Sequence, residues 1–164
     1  DDHLHTTPPP KPRHTMSELP RPPSGQPLSL ANLRPELHGR GEHLLHVDDE
    51  PTVTLSIQRL LQKIGYQVAS FNTPHAALAN FHADPHRFHL VLTDLMMPEM
   101  NGLQFTSEIL AVRPGLPVVM LSAFGAGYST DEIRRCGIRE VIAKPAALAT
   151  IAESLRRVLD SQTS

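Results

Sequence analysis

Tryptophan is absent from this chain, cysteine occurs once, and aromatic residues make up only 4% of its 164 positions. The lone Cys136 excludes an internal disulfide, so an apolar core must hold the fold and a reducing, cytoplasmic setting is expected. Long hydrophobic runs are also missing. The plainly apolar stretches, such as residues 117–121, are strand-sized and too short to span a membrane. The opening Asp1, Asp2 and His3 lack the basic-then-apolar order of a secretory signal. Neither sign of charge dominates: 15 Lys and Arg stand against 17 Asp and Glu, a net −2 that gives no hint of nucleic-acid affinity. The first residue is not Met, which suggests a processed form or a fragment of something longer.

What is present divides into two zones. Nine of the 16 prolines fall within residues 1–40, with few large apolar residues and no Phe, Tyr or Trp. Such a segment buries too little surface to offset its ordering entropy, so a disordered linker or tail is expected there. A proline-rich ligand for a partner is the alternative. Residues 41–164, with the hydrophobic share of the whole chain at 40%, have the length of one ordinary domain.

From His43 the pattern becomes regular. Short apolar runs at 43–47, 67–70, 89–93, 117–121 and 140–143 read as strands. Between them lie helical spacings: Val53, Ile57, Leu60, Leu61 and Ile64, then Ala77, Leu78 and Phe81, then Leu103, Ile109 and Leu110. Pro51 and Thr73-Pro74 open helices, Gly65 closes one, and Ser129 to Glu132 has the form of a capping box. Leu148, Ile151, Leu155 and Leu159 mark a final helix. Five βα repeats predict an open parallel sheet with helices on both faces, although spacing alone does not fix the strand order.

Chemistry-bearing residues sit at the ends of these strands: Asp48 and Asp49, then Asp94, then Ser122, then Lys144 before Pro145. In an alternating strand–helix fold such ends converge on one crevice. Each residue has an ordinary use as well: acidic pairs cap helices or line solvated turns, a strand-end Ser caps a turn, and a Lys makes a structural ion pair. Together they differ, because carboxylates forced close repel one another and call for a hard cation, while Lys and Ser suit phosphoryl oxygens.

DDE at one strand end, Asp94 within VLTDLMMPEMNG, Ser122-Ala123 and Lys144-Pro145 resemble the receiver domain of two-component response regulators over residues 43 to about 160. The resemblance implies a flavodoxin-like (βα)5 doubly wound sheet of order 2-1-3-4-5, with the site at the switch between strands 1 and 3. It implies that Asp94 is the phosphoacceptor, that Ser122 and Lys144 bind the phosphoryl group, and that Lys144–Pro145 is cis. It further implies Mg²⁺ held by Asp49, Asp94 and the carbonyl of Met96, with Asp48 acting mainly through water. The implied donor is a sensor histidine kinase or a histidine phosphotransfer protein, and the domain itself is not an enzyme. GRGEHLLHVDDEP and RPGLPVVMLSAF are most similar to the C-terminal receiver of hybrid sensor histidine kinases. Neither nucleic acid nor membrane is an expected contact, and the last helix with its neighbours is the candidate face for a homodimer.

Two departures stand out. Val141 replaces the aromatic that many receivers move inward on activation, and a β-branched aliphatic has no ring to relocate. A switch through the 124–130 loop, with Gly125 and Gly127, is the alternative. Met96 and Phe124, two residues past Asp94 and Ser122, offer no group to orient water, which implies a long-lived acyl phosphate. Among other readings, a haloacid-dehalogenase-type phosphatase would need a second Asp two residues after Asp94, where this chain has Met96. A degenerate receiver that only binds proteins would not need the full acidic set. The ten histidines do not form a metal pattern: His43 and His46 point to opposite faces of one strand, and His46 reads as a satisfied core residue.

Overall fold

A computed structural model describes residues 33–123 and 127–163. Five strands, β1 His43–Val47, β2 Gln67–Phe71, β3 Leu90–Asp94, β4 Val118–Ala123 and β5 Ile138–Lys144, form one parallel sheet. Its order is β2-β1-β3-β4-β5, the flavodoxin-like arrangement. The helices are α1 Pro51–Lys63, α2 Pro74–Ala83, α3 Gly102–Val112, α4 Thr130–Arg135 and α5 Leu148–Asp160. None of the described helices is long and apolar enough to cross a membrane.

Strand alternation sorts the core into two layers. Leu44, Leu90, Leu92, Val119 and Leu121 face Leu61 and Ile64 at the end of α1 and the Ile151–Leu155–Val158 stripe of α5. Leu45, Val47, Val91, Val118 and Met120 face Ala77 and Phe81 of α2, Phe105 and Ile109 of α3 and Ile133 of α4. With both faces covered, β3 is buried along its whole length.

Local signals place the helix ends. Thr73 accepts from the Ala76 N–H at 3.2 Å, and complete capping boxes join Asn101 to Gln104 and Ser129 to Glu132. Gly65, at φ 104, lets the chain leave α1 in a left-handed turn that a Cβ would strain. β4 runs on to Ala123 and β5 starts at Ile138, so Ser122 lies within its strand and not beyond it.

The expected linker mostly lies outside the described residues. Its last part does not behave as a tail: Pro35–Leu37 forms a 3-10 turn, and Leu33 and Leu37 pack against the α1–α5 layer. The Gly39 N–H donates to the Ile64 carbonyl (2.7 Å) and that of Gly41 to the Gly65 carbonyl (2.9 Å). The packed body therefore starts before the boundary at 41 read from composition. Phe124 and Gly125 of the loop after β4 also lie outside the described residues.

Candidate functional site

The β1, β3 and β5 termini bring Asp48, Asp49, Asp94 and Lys144 together. One carboxylate oxygen from each of the three Asp lies within 4.8 Å of the others. Lys144 Nζ sits between two of them, 2.8 Å from Asp48 Oδ2 and 3.2 Å from Asp94 Oδ1. Asp48 is fully buried, and its other oxygen accepts the Glu50 N–H at 3.0 Å. Asp49 makes no hydrogen bond among the described residues, and its carboxylate is less buried.

The charges are unbalanced: three carboxylates face one ammonium. Burial, then the Asp48 charge, push the Asp94 carboxyl up to about 6, against the opposing pull of Lys144. Burial disfavours the Lys144 ammonium, but Asp48 and Asp94 outweigh it and raise its pKa. A residual negative charge in a half-closed crevice is what a divalent cation would offset.

Short contacts hold this geometry. The Leu95 N–H donates to the Leu121 carbonyl (3.1 Å) and the Gly102 N–H to the Leu95 carbonyl (2.7 Å), drawing the turn after β3 back on itself. Glu99 in that turn has φ 69, and its carboxylate lies 3.3 Å from His75 Nε2 on the rim. The Lys144–Pro145 bond is cis. Met96 is 57% exposed, and its carbonyl accepts no hydrogen bond among the described residues.

Ser122 is placed differently. Its hydroxyl donates to the Ala123 carbonyl at 3.2 Å and not to a carboxylate. With Leu95, Tyr128, Ile133 and Val141 it lines a cleft of about 450 Å³ between α4 and β5. Val141 is 40% exposed there and leaves the cleft open.

Two hydroxyls that support the site were not singled out in the sequence. The Thr54 hydroxyl, buried one turn into α1, donates to the carbonyls of Asp48 (3.0 Å) and Glu50 (2.9 Å). The Thr93 hydroxyl donates to the Asp94 carbonyl at 2.9 Å. Thr54 precedes Leu61 by seven, so helical spacing carried a signal, but a polar residue does not register in an apolar pattern. His46 is buried on β1 with Nδ1 3.3 Å from Ser70 Oγ, while Nε2 meets no partner. The expected satisfied core histidine is thus satisfied on one side only.

An acidic pocket with a bridging lysine, at the switch point of a 2-1-3-4-5 sheet, defines a class of α/β signalling domain. The sequence pattern of the response regulator receiver domain matches residues 44–156, and the chain belongs to that family. It is 33% identical over 116 residues to the transcriptional regulatory protein ZraR of Salmonella typhimurium, covering 71% of this chain and 26% of that protein. The chain thus spans about a quarter of that relative's length. Over 118 residues it is 28% identical to the chemotaxis protein CheY of Thermotoga maritima, covering 72% of this chain and 98% of that protein. A response regulator receiver domain protein from Clostridium thermocellum shares the fold at a TM-score of 0.71 and 23% identity, over 74% of this chain and 97% of that one. These relatives support the receiver class as a whole and do not single out the receivers of hybrid kinases.

Proposed function

We propose that this domain is a phosphoacceptor switch in which Asp94 takes a phosphoryl group from a phosphohistidine, on a sensor histidine kinase or a histidine phosphotransfer protein. The observation that carries the reading is the Lys144 ammonium held between Asp48 and Asp94, with Asp49 alongside. An Asp94 carboxylate oxygen attacks phosphorus, a P–O bond forms, the P–N bond to imidazole breaks, and the histidine ring keeps the electron pair. The protein's task is positioning and charge stabilisation. Lys144, already 3.2 Å from Asp94, supplies a point charge for the phosphoryl oxygens. Ser122, on the neighbouring strand one step beyond Asp94's register partner Leu121, supplies a hydroxyl once it turns from the Ala123 carbonyl.

The residues fit a magnesium site. Asp48 already accepts from Glu50 and Lys144, whereas Asp49 and the Met96 carbonyl have no hydrogen-bond partner among the described residues, so Asp49, Asp94 and that carbonyl make the direct ligand set. Bound there, Mg²⁺ supplies positive charge for the transferring phosphoryl group. The acyl phosphate formed on Asp94 is long-lived, since the Met96 side chain has no proton-accepting group to orient water.

Mass spectrometry tests the reading. With Mg²⁺ and a small acyl phosphate donor, the intact chain gains about 80 Da and Asp94→Asn gains nothing. Chelating the metal abolishes the gain. Uptake by the Asn variant, or none by the intact protein, refutes the assignment, and decay of the adduct within seconds refutes its long life.

A further inference from the structure

Of the chain's five methionines, four fall among the described residues, and they differ sharply in shielding. Met120 is fully buried, Met97 is 8% exposed, and Met100 is partly buried against the α2–α3 layer. Met96 stands apart: its 57% is the highest exposure of any large apolar side chain among the described residues. Its place is fixed from both sides. Leu95 is buried, with its N–H bonded to the Leu121 carbonyl and its own carbonyl to the Gly102 N–H, while Met97 returns to the core. Two residues of chain span at most about 7 Å, so the Met96 Cα stays within that distance of the Asp94 Cα. A thioether open to solvent is thus held at the edge of the crevice that contains the Asp94 carboxylate.

An exposed thioether is open to peroxides. The sulfur lone pair attacks one peroxide oxygen, an S–O bond forms, the O–O bond breaks, and the second oxygen leaves as water. Sulfur is oxidised by two electrons and the peroxide is reduced. The product is a polar sulfoxide whose oxygen accepts hydrogen bonds, where the thioether was only a weak acceptor. At Met97 or Met120 that change would put a polar group into the core. At Met96 it disturbs no packing and alters only what faces the crevice mouth.

We propose that Met96 is a redox modification site, and that its sulfoxide shortens the life of the phosphorylated state. The lifetime effect rests on Asp94 being the phosphoacceptor; the selective oxidation does not. The sulfoxide oxygen accepts a hydrogen bond from a water beside phosphorus and orients it for attack. The water oxygen bonds to phosphorus, and the bond from phosphorus to the Asp94 oxygen breaks with its electron pair staying on the carboxylate. The water's proton leaves with inorganic phosphate or passes to solvent. Methionine sulfoxide reductases return the thioether, so the change is reversible. Oxidant in the surroundings would therefore erase the phosphoryl signal without unfolding the domain.

The test uses the full chain with Met16→Leu and Cys136→Ser, treated with hydrogen peroxide, cleared of it by catalase, and read by peptide mapping. The expected first product carries about 16 Da on Met96 and melts where the untreated chain does. Both forms are then loaded with Mg²⁺ and acetyl phosphate, freed of donor, and followed by loss of the adduct of about 80 Da. The oxidised form loses phosphate about tenfold faster, less than a true general base would supply. Reductase treatment restores the slow rate, and in Met96→Leu the decay is the same before and after peroxide. Oxidation of Met97, Met100 or Met120 ahead of Met96 overturns the proposal, as does equal decay of the oxidised and unoxidised forms. Absence of any adduct on the unoxidised chain refutes the phosphoacceptor reading itself, and the lifetime effect falls with it.

Discussion

Two buried groups on neighbouring strands make opposite demands on pH. His46 is held neutral, its pKa lowered to about 4 by burial, helped by Lys144 and opposed by Asp48. Between about 6.5 and 4 the unfolded chain binds the His46 proton more readily, so this group removes stability as pH falls. Asp94 is the reverse. Its raised pKa, about 6 against 3.8, means that the folded state binds the proton more readily, so its contribution is present below about 4 and lost as pH rises through about 6. Each shift of about two pK units corresponds to about 3 kcal/mol, so the two contributions nearly cancel in the intact protein. Urea unfolding in EDTA therefore gives a flat profile from pH 7 to 4.5. Asp94→Asn leaves the His46 slope, with stability falling by about 2 kcal/mol over that range, and His46→Leu leaves a rising one. Parallel profiles for all three proteins would mean that neither group is perturbed as described. Residue types and strand-end positions made Asp48, Asp49, Asp94 and Lys144 legible in the sequence. The partners of His46 were not legible, because a hydrogen bond to Ser70 depends on the pairing of β1 with β2.

Elements were legible where local chemistry decides them. A capping box, prolines and a left-handed glycine marked the helix ends, and short continuous apolar runs marked strands covered on both faces. Strand order was supplied by family resemblance, since parallel crossovers join residues far apart in the chain. The turn between β3 and α3 shows how an element end also sets the site. A Cβ on Gly102 would collide with the Asp94 carbonyl, and would lie 2.9 Å from Met120 Cε and 3.0 Å from Leu95 Cα. Met120 can swing aside, but the backbone atoms cannot. Gly102→Ala is therefore expected to cost about 1–3 kcal/mol in thermal or urea unfolding. The displaced β3 terminus also moves Asp94 relative to Lys144, so phosphate uptake slows. A substitution on the exposed side of α3, Ser107→Ala, controls for helix propensity and leaves both measurements unchanged. Unaltered stability in Gly102→Ala would show that the turn is not clamped by that close approach.

At the scale of the molecule, α5 ties the sheet's last strand to the arm that precedes its first, through two adjacent arginines of unequal weight. Arg156 is 5% exposed; it reaches Glu42 at 2.5 Å, Asp160 at 2.7 Å, the His38 carbonyl at 3.4 Å and Tyr66 Oη at 3.5 Å. Burial disfavours its charge, and Asp160 and Glu42 more than restore it. Glu42 is likewise held below the usual carboxylate range: burial works to raise its pKa, and the Arg40 N–H and Arg156 outweigh that. This bridge between residues 42 and 156 had no trace in the sequence, which is why composition placed residues 33–40 with the linker. Arg157 contacts Glu140 through two nitrogens at 2.7–3.1 Å, yet its side chain is 64% exposed. Solvent screening limits that pair to less than about 1 kcal/mol. Removing Arg156 instead strands a largely buried carboxylate and unlatches the arm, at about 3 kcal/mol or more. Arg156→Met should lower stability by that amount and expose the Gly39 and Gly41 amides to fast hydrogen exchange, whereas Arg157→Met should do neither. Equally small effects of the two substitutions would mean that the Gly39 and Gly41 backbone bonds and the packing of Leu33 and Leu37 hold the arm without Arg156. Fast exchange at Gly39 without loss of global stability would mean that the arm unfolds as a unit separate from the sheet.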